Sequence, residues 1–248
     1  GLVPDEIAEW QKVAENLYLP MLPEVGLIPQ FDGYFDLSKD LQVAGGAMAK
    51  SFQMKESGLY HTSQVIKQPD VMMLFAYLNL DFGAECYARN WDYYEKKCET
   101  SSSLSYPVHA ICAADLAQAE SAYRYFMNAA RIDLDDQHNC AWGGVHSACA
   151  AGAWYAVVRG IAGIVCHEDR VEVHPHMLPF WKQIRLAITW RGQALGIKVT
   201  NRAITLTAGK ENRQDIPLRF KRRRHALKPG AVKRFAIGLR VDCRKACS

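Results

Sequence analysis

The sequence predicts a mostly α-helical first part followed by a β part, with the helices stacked as αα-hairpins and the strands forming a small antiparallel β-sandwich. Three observations lead there. The composition of the 248 residues, 49% hydrophobic and 23% charged with 17 Gly and 10 Pro, is that of an ordinary globular protein and excludes disordered or collagen-like chains. The apolar period is helical up to about residue 165 and alternating from residue 169. Three expected helix starts, at Pro69, Pro107 and Val145, are separated by 38 residues each. The division is accordingly drawn between residues 1–166 and residues 167–248, the latter ending in a basic tail.

Taken in order, Ile7, Trp10, Val13 and Leu17 recur at helical spacing, as do Val108, Ile111, Cys112 and Leu116. Proline suits the first position of a helix, where its missing N–H costs nothing, so Pro69 and Pro107 read as starts. Each is followed by an apolar helix, a short break and a second helix, over Phe82–Tyr94 and Ala119–Ile132. Such repeats build both solenoids and (α/α) toroids, and spacing does not choose between them. In the β part, Ile184, Leu186, Ile188 and Trp190 fall on one side of a strand, with Arg185, Ala187 and Thr189 on the other. A turn at Arg191-Gly192 leads to Leu195, Ile197 and Val199, and a second turn near Asn201 leads to a run through Ile204 and Leu206.

No stretch approaches the run of about 20 apolar residues that crosses a bilayer, and Asp5, Glu6 and Glu9 stand where a signal peptide needs a basic flank. A cytoplasmic protein with no membrane partner is expected. Eight scattered cysteines fit a reducing compartment, and Cys243 with Cys247 lacks a second pair to complete a metal site, so no metal is expected. The net charge of +4 is unevenly placed: from Lys210 onward there are 13 Lys/Arg against 3 Asp/Glu. The run Lys221, Arg222, Arg223, Arg224 invites a nucleic-acid reading. Its neighbours Leu218, Phe220, Leu227, Pro229 and Gly230 favour a strand with a solvated face instead, and no nucleic-acid partner is expected.

What precedes each helix start is informative. Lys67 and Gln68 precede Pro69; Ser101, Ser102, Ser103 and Ser105 precede Pro107; Gly143 and Gly144 precede Val145 and His146. Helix N-termini carry unpaired N–H groups and a partial positive charge, so three such ends meeting in space make an oxyanion site. Taken singly, Ser103 or Ser105 reads as an N-cap, His146 as a structural histidine and Lys67 as a surface residue.

The ordered motifs are more specific. Ile28-Pro29-Gln30-Phe31-Asp32-Gly33-Tyr34, Val65-Ile66-Lys67-Gln68-Pro69-Asp70-Val71, Tyr93-Tyr94-Glu95 and Ser102-Ser103-Leu104-Ser105 are followed by Asp133-Leu134-Asp135-Asp136, Gly144-Val145-His146, Gly152-Ala153-Trp154 and Gly160-Ile161-Ala162-Gly163. In this order they resemble glycoside hydrolase family 65, a family of inverting disaccharide phosphorylases with some hydrolase members. The stretch from Pro175 to Trp190 resembles that family's entry into its C-terminal sheet domain. The resemblance implies the C-terminal part of an (α/α)6 catalytic barrel followed by a β-sandwich. It implies that Lys67 and Gln68 bind the glucosyl unit, and that Ser102, Ser103, Gly144 and His146 bind phosphate, with a backbone N–H from Gly144 or Val145. Inorganic phosphate is then a co-substrate and no other cofactor is implied; a homodimer is an assembly the family permits. Trp154 and Tyr34 read as packing residues rather than sugar platforms.

In this family the general acid is a glutamate well upstream of the Lys-Gln motif, and the matching stretch does not occur here. Glu6 is rejected as a substitute because it lies on an ordinary amphipathic helix. The chain begins at Gly1 in a helical pattern, so it reads as a piece of a longer enzyme that has negligible turnover alone. The activity implied is phosphorolysis of an α-glucosyl disaccharide to β-glucose 1-phosphate and a free sugar. Phosphate replaces the water that an inverting hydrolase must activate, so a cradle of hydroxyls, a cation and N–H groups stands in for a base. Two alternatives stay open. One is a trehalase- or kojibiase-like hydrolase of the same family with Glu95 or Glu99 as base, because Cys98-Glu99-Thr100-Ser101 departs from the usual Thr-x-His-Asp/Glu before the serines. The other is a non-catalytic fragment with a structural or glycan-contacting role.

Overall fold

A computed structural model describes residues 3–18, 20, 26–38, 62–78, 82–98, 102–139 and 141–237. The helical part holds α1 (Pro4–Asn16), α2 (Asp70–Tyr77), α3 (Ala84–Tyr94), α4 (Ser105–Asp115), α5 (Ala119–Arg131) and α6 (Ser147–Tyr155), which continues into a π-helical turn at Ala156–Ile161. The β part holds β1 (Ile164–Cys166), β2 (Val171–Val173), β3 (Gln183–Trp190), β4 (Gln193–Thr200), β5 (Ala203–Ala208), β6 (Ile216–Phe220), β7 (Arg223–Leu227) and β8 (Val232–Ala236). Among the described residues no helix is long and apolar enough to cross a membrane.

Burial separates inner from outer helices. Every residue of α4 from Ser105 to Ala114 is buried, the mark of a helix surrounded by protein. On α5 only Ala122, Tyr125 and Ala129 are buried, and on α3 only Asn90, Trp91 and Tyr94, as outer helices require. The inner helices run the same way. The Ser105 hydroxyl donates to the Lys67 carbonyl at 3.3 Å, and Cys112 Sγ lies 3.7 Å from the Met72 carbonyl, so α2 and α4 are in step. Gly152 meets Pro107 and Gly160 meets Ile111, so α6 and its π-turn follow α4 in parallel. Parallel inner helices returned by outer ones are the pattern of a partial (α/α) barrel.

The even 38-residue spacing is corrected by the structure: α2, α4 and α6 begin 35 and 42 residues apart. Pro69 stands just before its helix, whereas Pro107 is the third residue of α4. Both are tolerated because the N–H groups of a first turn have no partner within the helix. Helix α1 forms as its spacing predicts, but among the described residues it buries no side chain, and Trp10 is 53% exposed.

The β part is two four-stranded sheets, ordered β1-β2-β6-β7 and β3-β4-β5-β8, whose inner faces share one apolar core. Leu195, Ile197 and Val199 of β4 point inward as their alternation requires. Arg191 and Gly192, both at positive φ, close the β3–β4 hairpin with the twist that two-residue turns favour. The antiparallel sandwich expected from sequence has one exception, since β2 pairs with β6 in parallel. The basic run is also divided differently. Lys221 and Arg222 form the β6–β7 turn at positive φ, and only Arg223 and Arg224 lie on a strand.

Helical and β parts are joined by a buried charge network. Arg159 donates to both oxygens of Asp115 at 2.9 and 3.1 Å, Tyr87 donates to the same carboxylate at 3.1 Å, and His176 Nε2 lies 3.4 Å from it. Backbone bonds from His174 to Gly163 and from His176 to Ile161 continue the joint, with β1 already in the sheet of β2.

Candidate functional site

The segment that carries Lys67 and Gln68 is pinned from two sides. Tyr34, buried, donates from its hydroxyl to the Gln64 carbonyl at 2.6 Å. The Gln64 amide donates to the carbonyls of Phe35 and Leu37, and Tyr93 donates to its oxygen. Ile66 N–H donates to the Lys97 carbonyl at 3.0 Å. The first motif is held in turn by α3, where Asn90 bonds Gly26 and Ile28 and the Tyr94 hydroxyl donates to the Ile28 carbonyl at 2.5 Å. Buried polar groups satisfied in this way leave the backbone little freedom, so Lys67 and Gln68 are delivered to a fixed place.

That place is the N-terminal end of α4. The Gln68 amide donates to Ser102 Oγ at 3.3 Å, while Ser105 Oγ ties the Lys67 carbonyl to the first residue of the helix. Ser102 is buried, Ser103 half-buried and Lys67 exposed. The expected N-cap role for Ser103 or Ser105 is not what the structure has. The position before α4 is Leu104, with no side-chain cap.

His146 sits immediately before α6 and reaches α4 through a second histidine. Tyr106 Oη is 3.4 Å from His138 Nε2, and the His138 and His146 rings meet edge to face at 6.2 Å between centroids. Asp133 grips His146 twice, accepting from its backbone N–H at 2.9 Å and lying 2.5 Å from Nδ1. The hydrogen bond from His146 holds the Asp133 carboxyl below the usual carboxylate range. A carboxylate has no proton to donate, so Asp133 accepts and Nδ1 donates. Gly144, at φ +95° and with nothing within 4 Å of where a Cβ would stand, turns the chain into His146 with its surface open. The parallel course of α2, α4 and α6 thus brings Lys67, Gln68, Ser102, Ser103, Gly144 and His146 to one end of the helical layer. The geometry offers what an oxyanion takes: hydroxyls, an ammonium, an imidazole and N–H groups.

Other expected residues fall elsewhere. Glu95 caps the end of α3, and its Oε1 accepts the Tyr125 hydroxyl at 2.5 Å with Arg124 at 3.6 Å. Glu99 and Ser101 lie outside the described residues, as do Cys140, Cys243 and Cys247. The described cysteines, Cys86, Cys98, Cys112, Cys149 and Cys166, are free thiols, and no group of three or more metal-binding side chains occurs among the described residues. The packing expected of Trp154 is corrected by its 58% exposure, whereas Tyr34 packs as expected. Asp133, His138 and Tyr106 were missed as site residues. An acidic side chain one loop ahead of a glycine-histidine turn was the usable signal for the first.

Parallel inner helices returned by outer ones and followed by a two-sheet domain define the class of (α/α)-barrel proteins with an appended β domain. The comparisons agree. The family model for the glycosyl hydrolase family 65 central catalytic domain matches residues 1–155, and that for the family's C-terminal domain matches residues 164–227. The chain belongs to glycosyl hydrolase family 65. It is 50% identical over 226 residues to the 3-O-alpha-D-glucosyl-L-rhamnose phosphorylase of Lachnoclostridium phytofermentans, covering 91% of this chain and 30% of that protein. It is 33% identical to the kojibiose phosphorylase of Halothermothrix orenii, covering 84% and 27% of the two chains. With the alpha,alpha-trehalose phosphorylase of Thermoanaerobacter brockii it shares 32% identity over 81% and 26%. The chain thus spans less than a third of the length of these relatives. The fold is shared with a candidate kojibiose phosphorylase from the human microbiome, at a TM-score of 0.81 and 24% identity, over 96% of this chain and 35% of that one.

Proposed function

We propose that the enzyme carrying this chain cleaves an α-glucosyl disaccharide with inorganic phosphate, by inversion, to β-glucose 1-phosphate and a free sugar. In this reading Ser102, Ser103, Gly144 and His146 receive phosphate while Lys67 and Gln68 contact the glucosyl unit. The observation that carries it is the Gln68–Ser102 hydrogen bond, which puts the sugar-side and phosphate-side residues in contact at one helix end. A restrained phosphate is already a nucleophile, so the arrangement needs no base and contributes mainly by orientation and charge stabilisation. Hydrolysis through Glu95 is the weaker reading, because its carboxylate is engaged by Tyr125 and Arg124 on the outer helix.

The general acid belongs to the rest of the enzyme in this proposal, as do a cytoplasmic setting and a homodimer. The test is product analysis with the complete enzyme. Glucose 1-phosphate formed only when phosphate is present is the expected result; glucose formed equally well without phosphate refutes the reading. The name of the 50%-identical relative makes 3-O-α-D-glucosyl-L-rhamnose the first substrate to try, with kojibiose and trehalose beside it.

A further inference from the structure

We propose that Asp133 is a positioning residue for phosphate: it fixes the ring plane and tautomer of His146, so that His146 meets phosphate through Nε2. This rests on the phosphate role of His146 proposed above and extends it to a residue that does not itself touch the ligand.

The geometry is that of a clamp. One carboxylate holds the backbone N–H of His146 at 2.9 Å through Oδ2 and the ring Nδ1 at 2.5 Å through Oδ1. Two bonds from one rigid group to the main chain and the ring of the same residue leave few side-chain torsions for it to sample. Both side chains are about a quarter exposed, at 27% and 25%, so the pair is partly shielded by its neighbours. A carboxylate cannot donate, so the Nδ1 proton is committed to Asp133, and Nε2 is the nitrogen by which His146 addresses an anion. The pair then shares one proton with phosphate, donated by imidazolium to a dianion or by a monoanion to the neutral ring. The His138 ring stands edge to face with His146 at 6.2 Å and contacts Tyr106 of α4. Asp133 follows directly on the end of α5, so the clamp also sets the distance between the outer helix and the turn at Gly144.

The test is steady-state kinetics of the complete enzyme with phosphate and disaccharide varied separately, for Asp133→Ala, Asp133→Asn, His146→Ala and the double variant. Loss of a charge-assisted bond predicts that Asp133→Ala raises KM for phosphate about tenfold while KM for the disaccharide changes by less than about twofold. Asp133→Asn, which keeps an acceptor for Nδ1, falls between it and the parent. In the His146→Ala background, Asp133→Ala adds nothing further, because its effect passes through the ring. An undiminished effect of Asp133→Ala in that background, or none in the parent while His146→Ala raises KM for phosphate, overturns the proposal. If His146→Ala itself leaves KM for phosphate unchanged, the phosphate role of His146 falls first and the clamp with it. Should Asp133→Ala unfold the enzyme, Asp133→Asn carries the same comparison.

Discussion

The contact between Gly152 and Pro107 sets where His146 stands relative to the serines of α4, and it can be tested with a single methyl group. A Cβ on Gly152 would lie 2.6 Å from Cγ and 2.7 Å from Cβ of Pro107. Ordinary carbon contacts are about 3.6 Å, so the two helices must separate by about 1 Å. The proline ring cannot swing aside, being closed onto the backbone of α4 in its first turn. Overpacking of this size costs about 1–3 kcal/mol. Because Gly152 lies less than two turns from His146, the same displacement moves the imidazole away from Ser102 and Ser103. If His146 receives phosphate as proposed, a shift of about 1 Å there predicts a tenfold to hundredfold loss in kcat/KM for phosphate. The assay is thermal unfolding together with phosphate-dependent kinetics of the complete enzyme carrying Gly152→Ala. Gly196→Ala is the control, since its Cβ would meet neighbours at ordinary distances of 3.6 and 3.7 Å. A Gly152→Ala enzyme with the Tm and phosphate kinetics of the control would refute the reasoning.

Three further predictions concern stability. His109 is fully buried on α4 with neither ring nitrogen hydrogen-bonded among the described residues, and burial, with Arg124 adding repulsion, pushes its pKa down to about 4. The unfolded chain therefore binds this proton more readily, so the associated stability is complete above about pH 6.5 and is lost as pH falls through the window down to about 4. The loss totals about 3 kcal/mol, and His109→Leu removes that component from urea unfolding measured across the window. Asp115→Ala removes the carboxylate that accepts two bonds from the buried Arg159 guanidinium and is expected to cost about 3 kcal/mol in chemical denaturation, with Asp115→Asn costing less. Arg222→Gly relieves a residue at φ +65° in the β6–β7 turn and is expected to gain up to about 1 kcal/mol in the same assay.

Much of this architecture is local and was legible as such. The alternation through Ile184, Leu186 and Ile188 could form only a strand with one apolar face, and Arg191-Gly192 supplied a turn whose backbone needs positive φ. The second helices after the Pro69 and Pro107 starts are legible nearly to their ends, because a 3.6-residue apolar stripe needs no knowledge of its partner. The helix starts were less legible. Prolines and glycines mark where a helix can begin, but the first turn of α4 starts at Ser105, two residues before Pro107, and α6 starts at Ser147, after His146. The parallel β2–β6 pair escaped for a related reason: its strands are separated along the chain by β3, β4 and β5, and alternation carries no information on pairing at that distance.

By itself the sequence determined that helices precede strands, which faces of the strands are apolar, and which residue types stand ahead of the inner helices, since each of these is fixed by neighbours within a few positions along the chain. Only the tertiary structure decided that Lys67, Ser102 and His146 share one end of three parallel helices, that Glu95 is engaged by Tyr125, and that Asp133 clamps His146. The physical reason is that a hydrogen bond or an ion pair depends on distances of a few ångströms between residues tens of positions apart, and those distances are set by the packing of whole helices against one another.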